Sequence, residues 1–206
     1  MKSEVQKFVS EVRTLIDAAE GLQLRVDAAK PNTLVGYAAV FGSLSADLGG
    51  FKERIIPGAF KGSLSNGQDV RALVDHDPGK ILGRTSNGTL RVSEDNIGLR
   101  VEIDTPDTTY GRDVLESVRR GDIRGMSFGF KVPQGGQRFL NESGLKVREL
   151  TNIDLREVTA TSIPAYGDTS LFLRVDPEAI RQAAEEISAH GIANCRKKLL
   201  YHLASI

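Results

Sequence analysis

The sequence predicts a β-rich α+β protein, an antiparallel β-barrel surrounded by helices, and three observations lead there. Seven or more short segments alternate apolar with polar residues, turn chemistry separates them, and only a few segments carry helical spacing. The 21 glycines and the absence of tryptophan suit a fold with many turns.

Taken in order, Val5, Phe8, Val9, Val12, Leu15, Ile16 and Ala19 recur at helical spacing, and Gly21 follows as a stop signal. Residues 1–21 are therefore expected to form an N-terminal amphipathic helix. Leu22, Leu24 and Val26 then alternate with Gln23, Arg25 and Asp27 as a half-buried strand does. Strands are predicted at Leu34 to Phe41, Phe51 to Ile56, Val70 to Asp75, Ile81 to Thr85, Thr89 to Ser93 and Leu99 to Asp104. Pro57-Gly58, Asn66-Gly67, Asp77-Pro78-Gly79 and Asn87-Gly88 supply the turns between them. A helix is expected from Tyr110 to Arg120, with Val114, Leu115 and Val118 as its apolar stripe and Gly121 as its stop. Met126, Phe128, Phe130 and Val132 share one face of the next strand, and Ser127, Gly129 and Lys131 the other. Pro133 to Gly144 reads as a loop, followed by strands at Leu145 to Leu150 and Ile153 to Ile163. Asp176 and Pro177 begin a last helix with an apolar face of Ile180, Ala183, Ala184 and Ile187. Residues 22–175 would thus be the barrel domain and 176–206 a C-terminal helical segment.

Composition excludes several classes. Lysine plus arginine balances aspartate plus glutamate at 27 each, so no net field draws nucleic acid or an anionic membrane. Cys195 stands alone, too few for an intrachain disulfide or a structural zinc site, and no metal or cofactor is expected. No stretch approaches the ~20 apolar residues of a membrane span, and the N-terminus lacks a signal peptide's apolar core. The chain reads as soluble and intracellular.

Three residues could carry chemistry. His76 is set apart from His190 and His202, which lie in the C-terminal segment. It ends a strand and enters a turn, either as a surface histidine or as a base facing a cleft. Ser127 lies in Gly125-Met126-Ser127-Phe128-Gly129-Phe130, where Gly129 leaves room for a substrate backbone or merely relieves crowding at a bend. Glu157 follows Ile153 and Leu155 at the next position of a core face. A carboxylate there needs a partner such as an imidazole, unless a bulge shifts the register and turns Glu157 outward. Asp77 is read as structural. Arg84 and Arg124 are either assisting cations or surface and ion-pair residues.

At these residues the chain resembles the prohead proteases of tailed phages. The resemblance runs through Gly36-Tyr37-Ala38-Ala39-Val40-Phe41, Ile56-Pro57-Gly58-Ala59-Phe60, Asp75-His76-Asp77-Pro78, Leu82-Gly83-Arg84 and Gly98-Leu99. It continues in Gly121-Asp122-Ile123-Arg124-Gly125-Met126-Ser127-Phe128-Gly129-Phe130, Leu155-Arg156-Glu157-Val158 and Pro164-Ala165, in matching order and spacing. It implies a fold similar to the herpesvirus maturational protease and a serine endopeptidase with Ser127 as nucleophile, His76 as general base and Glu157 as third member. It implies cleavage of the major capsid protein and its scaffold or scaffolding domain, and of the enzyme itself. The portal is a further candidate partner, and self-association is expected. The place of action would be the prohead interior in the bacterial host cytoplasm, and the C-terminal segment would be a candidate for removal. Two other classes stay open: a non-enzymatic capsid assembly scaffold, and an esterase or amidase of small molecules.

Overall fold

The computed structural model of the chain describes residues 11–15, 22–45 and 47–162. In chain order the first strands are β1 (Glu11–Leu15), β2 (Arg25–Val26), β3 (Thr33–Val40), β4 (Lys52–Ile55), β5 (Arg71–Val74) and β6 (Asp77–Arg84). They are followed by β7 (Leu90–Glu94), β8 (Gly98–Asp104), β9 (Gly125–Lys131), β10 (Gln137–Glu142), β11 (Leu145–Leu150) and β12 (Asp154–Thr161). The short helix α1 (Lys61–Ser65) and the longer α2 (Thr109–Arg120) complete the elements, with a 3-10 turn at Thr85–Asn87.

The strands form three sheets, ordered β1-β9-β12-β5-β6, β10-β11-β4 and β2-β3-β8-β7. The β-rich α+β class is as the alternation implies, but the closed antiparallel barrel is not what the described residues form. No pairing among them joins a sheet into a ring, and β12 with β5 and β11 with β4 are parallel. Parallel neighbours need long crossovers instead of tight turns, and strand periodicity carries no sign of them.

Three local expectations also change. Glu11–Leu15, expected within a helix, is an edge strand antiparallel to β9. Helical spacing yields here to tertiary pairing. A helix would leave that edge of β9 unpaired, whereas the extended chain satisfies it and places Glu11 and Arg13 beside Arg148 and Glu53. The rest of the predicted N-terminal helix, residues 1–10 and 16–21, lies outside the described residues, as does everything after residue 162, including the segment 176–206. The loop predicted from Pro133 to Gly144 holds β10, which returns through Ser143 and Gly144, both at positive φ (52° and 85°), to pair with β11. The two-residue turn fixes that register although β10 is largely exposed. The turn predicted at Asp77-Pro78-Gly79 is instead the start of β6, and Asp75-His76 makes the hairpin.

Helix α2 behaves as its sequence implies. Thr108 accepts from the amide of Gly111 at 3.2 Å, Val114, Leu115 and Val118 are buried, and Gly121 ends the helix at φ 80°. The core gathers Met126, Phe128 and Phe130 of β9 with Leu155, Val158 and Ala160 of β12. Phe128 stacks on Phe130 at 5.1 Å and meets Phe60 edge-on at 5.7 Å.

Charge is also buried. Glu149, with no exposed surface, accepts from Arg54 Nε at 2.8 Å and Arg138 Nε at 2.5 Å. Replacing it by alanine leaves Arg54 with Glu142 as its carboxylate partner, so the loss lies towards the lower end of the about 3–5 kcal/mol that a broken buried pair costs. Urea denaturation of Glu149→Ala should show a loss of that size. Acid should unfold the chain partly through Asp104, whose carboxyl the Arg91 guanidinium, with help from Thr33, holds down to about 2 from 3.8. Its folded value is the depressed one, so its contribution is present above pH ~3.8 and lost as pH falls towards 2. Asp104→Asn should therefore show a shallower decline of stability across that window than the parent chain.

Candidate active site

Strand β12 builds the site by pairing on both edges. On one side it runs antiparallel to β9, with Thr159 opposite Ser127 and Glu157 opposite Gly129. On the other it runs parallel to β5, with Ala160 opposite Val74, the last residue before the hairpin. Asp75 and His76 fill that two-residue hairpin at φ 46° and 58°. A type I′ turn demands positive φ at both positions. Asp and His tolerate it better than most residues, at a cost of about 1–3 kcal/mol each. Two bonds to β12 hold the strained turn in place. The amide of Asp75 donates to the Ala160 carbonyl at 3.1 Å, and that of His76 to Thr159 Oγ1 at 3.1 Å.

So held, the imidazole of His76 lies between the other two residues. Its Nδ1 is 2.5 Å from Glu157 Oε1 and its Nε2 is 2.9 Å from Ser127 Oγ. An ionised carboxylate only accepts, so Nδ1 carries a proton, and in the neutral ring Nε2 is then an acceptor facing the hydroxyl. Ser127 Oγ also donates to the main-chain carbonyl of Arg13 at 2.8 Å, and Ser127 has no exposed surface. The structure thus brings His76, Ser127 and Glu157 together across separations of 51 and 81 residues.

Glu157 arrives there through a bulge. The register against β9 shifts between Leu155 and Glu157, which leaves Arg156 as the extra residue. Leu155 and Val158 both reach the core, and Glu157 turns to the face of Ser127. Of the two sequence readings the bulge applies, and its effect is to aim the carboxylate at the imidazole. The space beside Gly129 is filled by Glu157 itself rather than by a path for substrate: a Cβ on Gly129 would lie 2.8 Å from Glu157 Cγ and 3.0 Å from its Oε1.

The other candidates lie apart from these three. Asp77 Oδ1 accepts from the Gly79 amide at 2.8 Å, a structural role. Arg84 pairs with Asp69, and Arg124 is exposed. Sequence reasoning missed Thr159, which anchors the turn, although its place two residues beyond Glu157 put it on the same face. It also missed Arg13, because a helical reading of that segment offered no signal. Among the described residues, no group of three or more His, Cys, Asp or Glu could hold a metal ion.

A hydroxyl, an imidazole and a carboxylate in one hydrogen-bonded row on a rigid sheet are the parts of a nucleophilic hydrolase site. The chain belongs to the caudovirus prohead serine proteases, whose family model matches residues 20–184. It is 29% identical over 140 residues to the prohead protease of Enterobacteria phage HK97, covering 66% of this chain and 57% of that protein. The chain therefore spans little more than half the length of that relative. No solved structure matches.

Glycine at 129 is a packing requirement for the carboxylate. Gly129→Ala should stay folded but displace Glu157. Proton NMR should then lose the low-field Nδ1–H resonance that a short bond to a carboxylate gives the imidazole.

Proposed function

We propose that the protein is a serine endopeptidase that cleaves capsid and scaffold proteins as a phage prohead matures. Ser127 is the nucleophile, His76 the general base and acid, and Glu157 the residue that orients the ring. The observation that carries the reading is the imidazole of His76 bridging Glu157 and Ser127 at 2.5 and 2.9 Å.

In this mechanism Ser127 Oγ forms a bond to the peptide carbonyl carbon while its proton passes to His76 Nε2. Glu157, still accepting from Nδ1, balances the imidazolium charge. The proton then moves from Nε2 to the leaving nitrogen as the C–N bond breaks, leaving an acyl-serine. Water gives a proton to Nε2 as its oxygen attacks the ester, and that proton passes from Nε2 to Ser127 Oγ as the acyl C–O bond breaks, which releases the new carboxyl end and restores the free hydroxyl. A half-buried imidazole anchored by its own backbone to β12 loses little orientation between these steps, which lowers the barrier by positioning.

The substrates proposed are the major capsid protein, its scaffold and the enzyme's own chain, with the portal as a further partner. The place of action is the prohead interior in the host cytoplasm. The segment 176–206 is proposed as an element removed by self-cleavage.

Incubation with capsid subunits tests the reading. Ser127→Ala and His76→Ala should abolish cleavage and leave the fold intact, and persisting cleavage by the serine variant would refute the assignment. Glu157→Gln should keep the fold and lose about 10⁴-fold in kcat, because an amide can hold the wrong imidazole tautomer.

A further inference from the structure

A peptide has to reach Ser127, yet Ser127 is fully buried, and part of what covers it is β1. That strand lies antiparallel along the edge of β9 with Thr14 opposite Ser127, and the Arg13 carbonyl oxygen is 2.8 Å from the hydroxyl. An extended segment of this chain therefore sits as a bound peptide sits when it adds a strand to a sheet edge, its carbonyl against the serine.

The side chains of that segment are received by residues from elsewhere in the fold. Arg13 donates from Nε and Nη2 to the two oxygens of Glu53, at 2.6 and 3.0 Å, and its guanidinium lies 5.5 Å from the Phe130 ring centre. Glu11, two residues earlier on the same face, accepts from Arg148 Nη1 at 2.6 Å and Nη2 at 2.8 Å. Glu53 and Arg148 are 3% and 8% exposed and belong to β4 and β11, so they stay behind if β1 leaves. They remain paired with each other at 2.8 Å, and each has lost one partner of opposite sign.

Resting on the reading of Ser127 as nucleophile, we propose that β1 occupies the substrate groove. The groove selects an extended peptide with an acidic residue two positions before a basic one, the carbonyl of the basic residue facing Ser127. Glu53 and Phe130 hold the basic side chain, and Arg148 holds the acidic one. In the resting chain β1 is an internal competitor. Ser127 has one hydroxyl proton, and both the Arg13 carbonyl and His76 Nε2 lie within reach of it. While β1 is bound, the proton given to Arg13 is not available to the base. Because β1 is tethered, it competes at an effective concentration of roughly millimolar.

The test uses the full chain with fluorogenic peptides containing Glu-Val-Arg, Leu-Val-Arg, Glu-Val-Leu or Arg-Val-Glu, cut after the third residue, and a fluorophosphonate that labels reactive serines. Glu-Val-Arg should give the highest kcat/KM, by at least about tenfold over each of the others, since a buried charge left without its partner weakens binding strongly. Glu53→Gln should lose most of the preference for arginine over leucine. Should that variant fail to fold, Arg13→Ala leaves Glu53 and Arg148 paired. It should lower KM for Glu-Val-Arg several-fold and speed the labelling of Ser127, as β1 binds less tightly. Labelling at Ser127 without a preference for Glu-Val-Arg, or an unchanged KM in Arg13→Ala, would overturn the groove assignment and leave the nucleophile standing. Neither labelling nor cleavage of any peptide by the folded chain would remove the reading of Ser127, and the groove with it.

Discussion

The hydrogen-bond ladders on both edges of β12 fix the distance between segments that lie far apart in the chain. One edge holds β9, which carries Ser127, and the other holds β5, which ends in the hairpin that carries His76. β12 itself supplies Glu157, and Thr159 two residues further on ties down the hairpin. All three side chains of the hydrogen-bonded row are thus referred to one strand, and their mutual geometry is as rigid as a central sheet strand. The bulge at Arg156 is what makes this compatible with a core. With an unbroken ladder, Glu157 would share a face with Leu155 among the phenylalanines. There its charge would be desolvated without a partner, at a cost no imidazole could offset.

Much of this was legible in the sequence, and the gaps have physical causes. Regular alternation located β3, β8, β9 and β12 within a residue or two, and an apolar stripe and a terminal glycine located α2. Glu157 stood out because a carboxylate broke the alternation, but periodicity could not say whether a partner or a bulge resolved the conflict; here both do. The hairpin was misplaced because Pro78-Gly79 is the stronger local turn signal. Which dipeptide turns was decided by tertiary bonds to Thr159 and Ala160, which hold His76 at a positive φ that its own preferences would not choose. β1 was misread for a similar reason. Its apolar residues fit a helix, and only an unsatisfied edge of β9 and a waiting pair of opposite charges make the extended form better.

Those charges also settle a pairing that hydrophobicity leaves loose. In the parallel pair of β11 and β4, Arg148 faces Glu53 and Glu149 faces Arg54. A slip by one residue would set Arg148 against Arg54 or Lys52, or Glu149 against Glu53, and buried like charges oppose each other strongly. Buried ion pairs contribute little net stability because desolvation offsets their attraction. Here alternating sign along two neighbouring strands does what an apolar stripe would not: it admits one register. That register in turn puts Glu53 and Arg148 side by side with their free lone pairs and N–H groups directed at β1.

The same arrangement couples the site to the smaller sheet. Glu11 and Arg13 are bonded to residues of β4 and β11, while the main chain of Arg13 is bonded to Ser127 on β9. A strand joined at its side chains to one sheet and at its backbone to another leaves only if both sets of contacts break or are replaced. Water can reach Glu53 and Arg148 once β1 has left, but a strand without the matching charges would bury them again with those partners missing. A peptide carrying the same two charges at the same spacing replaces them fully. The groove is therefore disposed to exchange β1 for a strand of matching charge, and selectivity for the incoming strand follows from the cost of burying the pair again without its partners. On the proposed mechanism, this design keeps the protease inert until a matching strand arrives. Its resting state already satisfies every charge in the groove, and only a matching strand at high local concentration offers the same satisfaction together with a carbonyl that the base can help to attack.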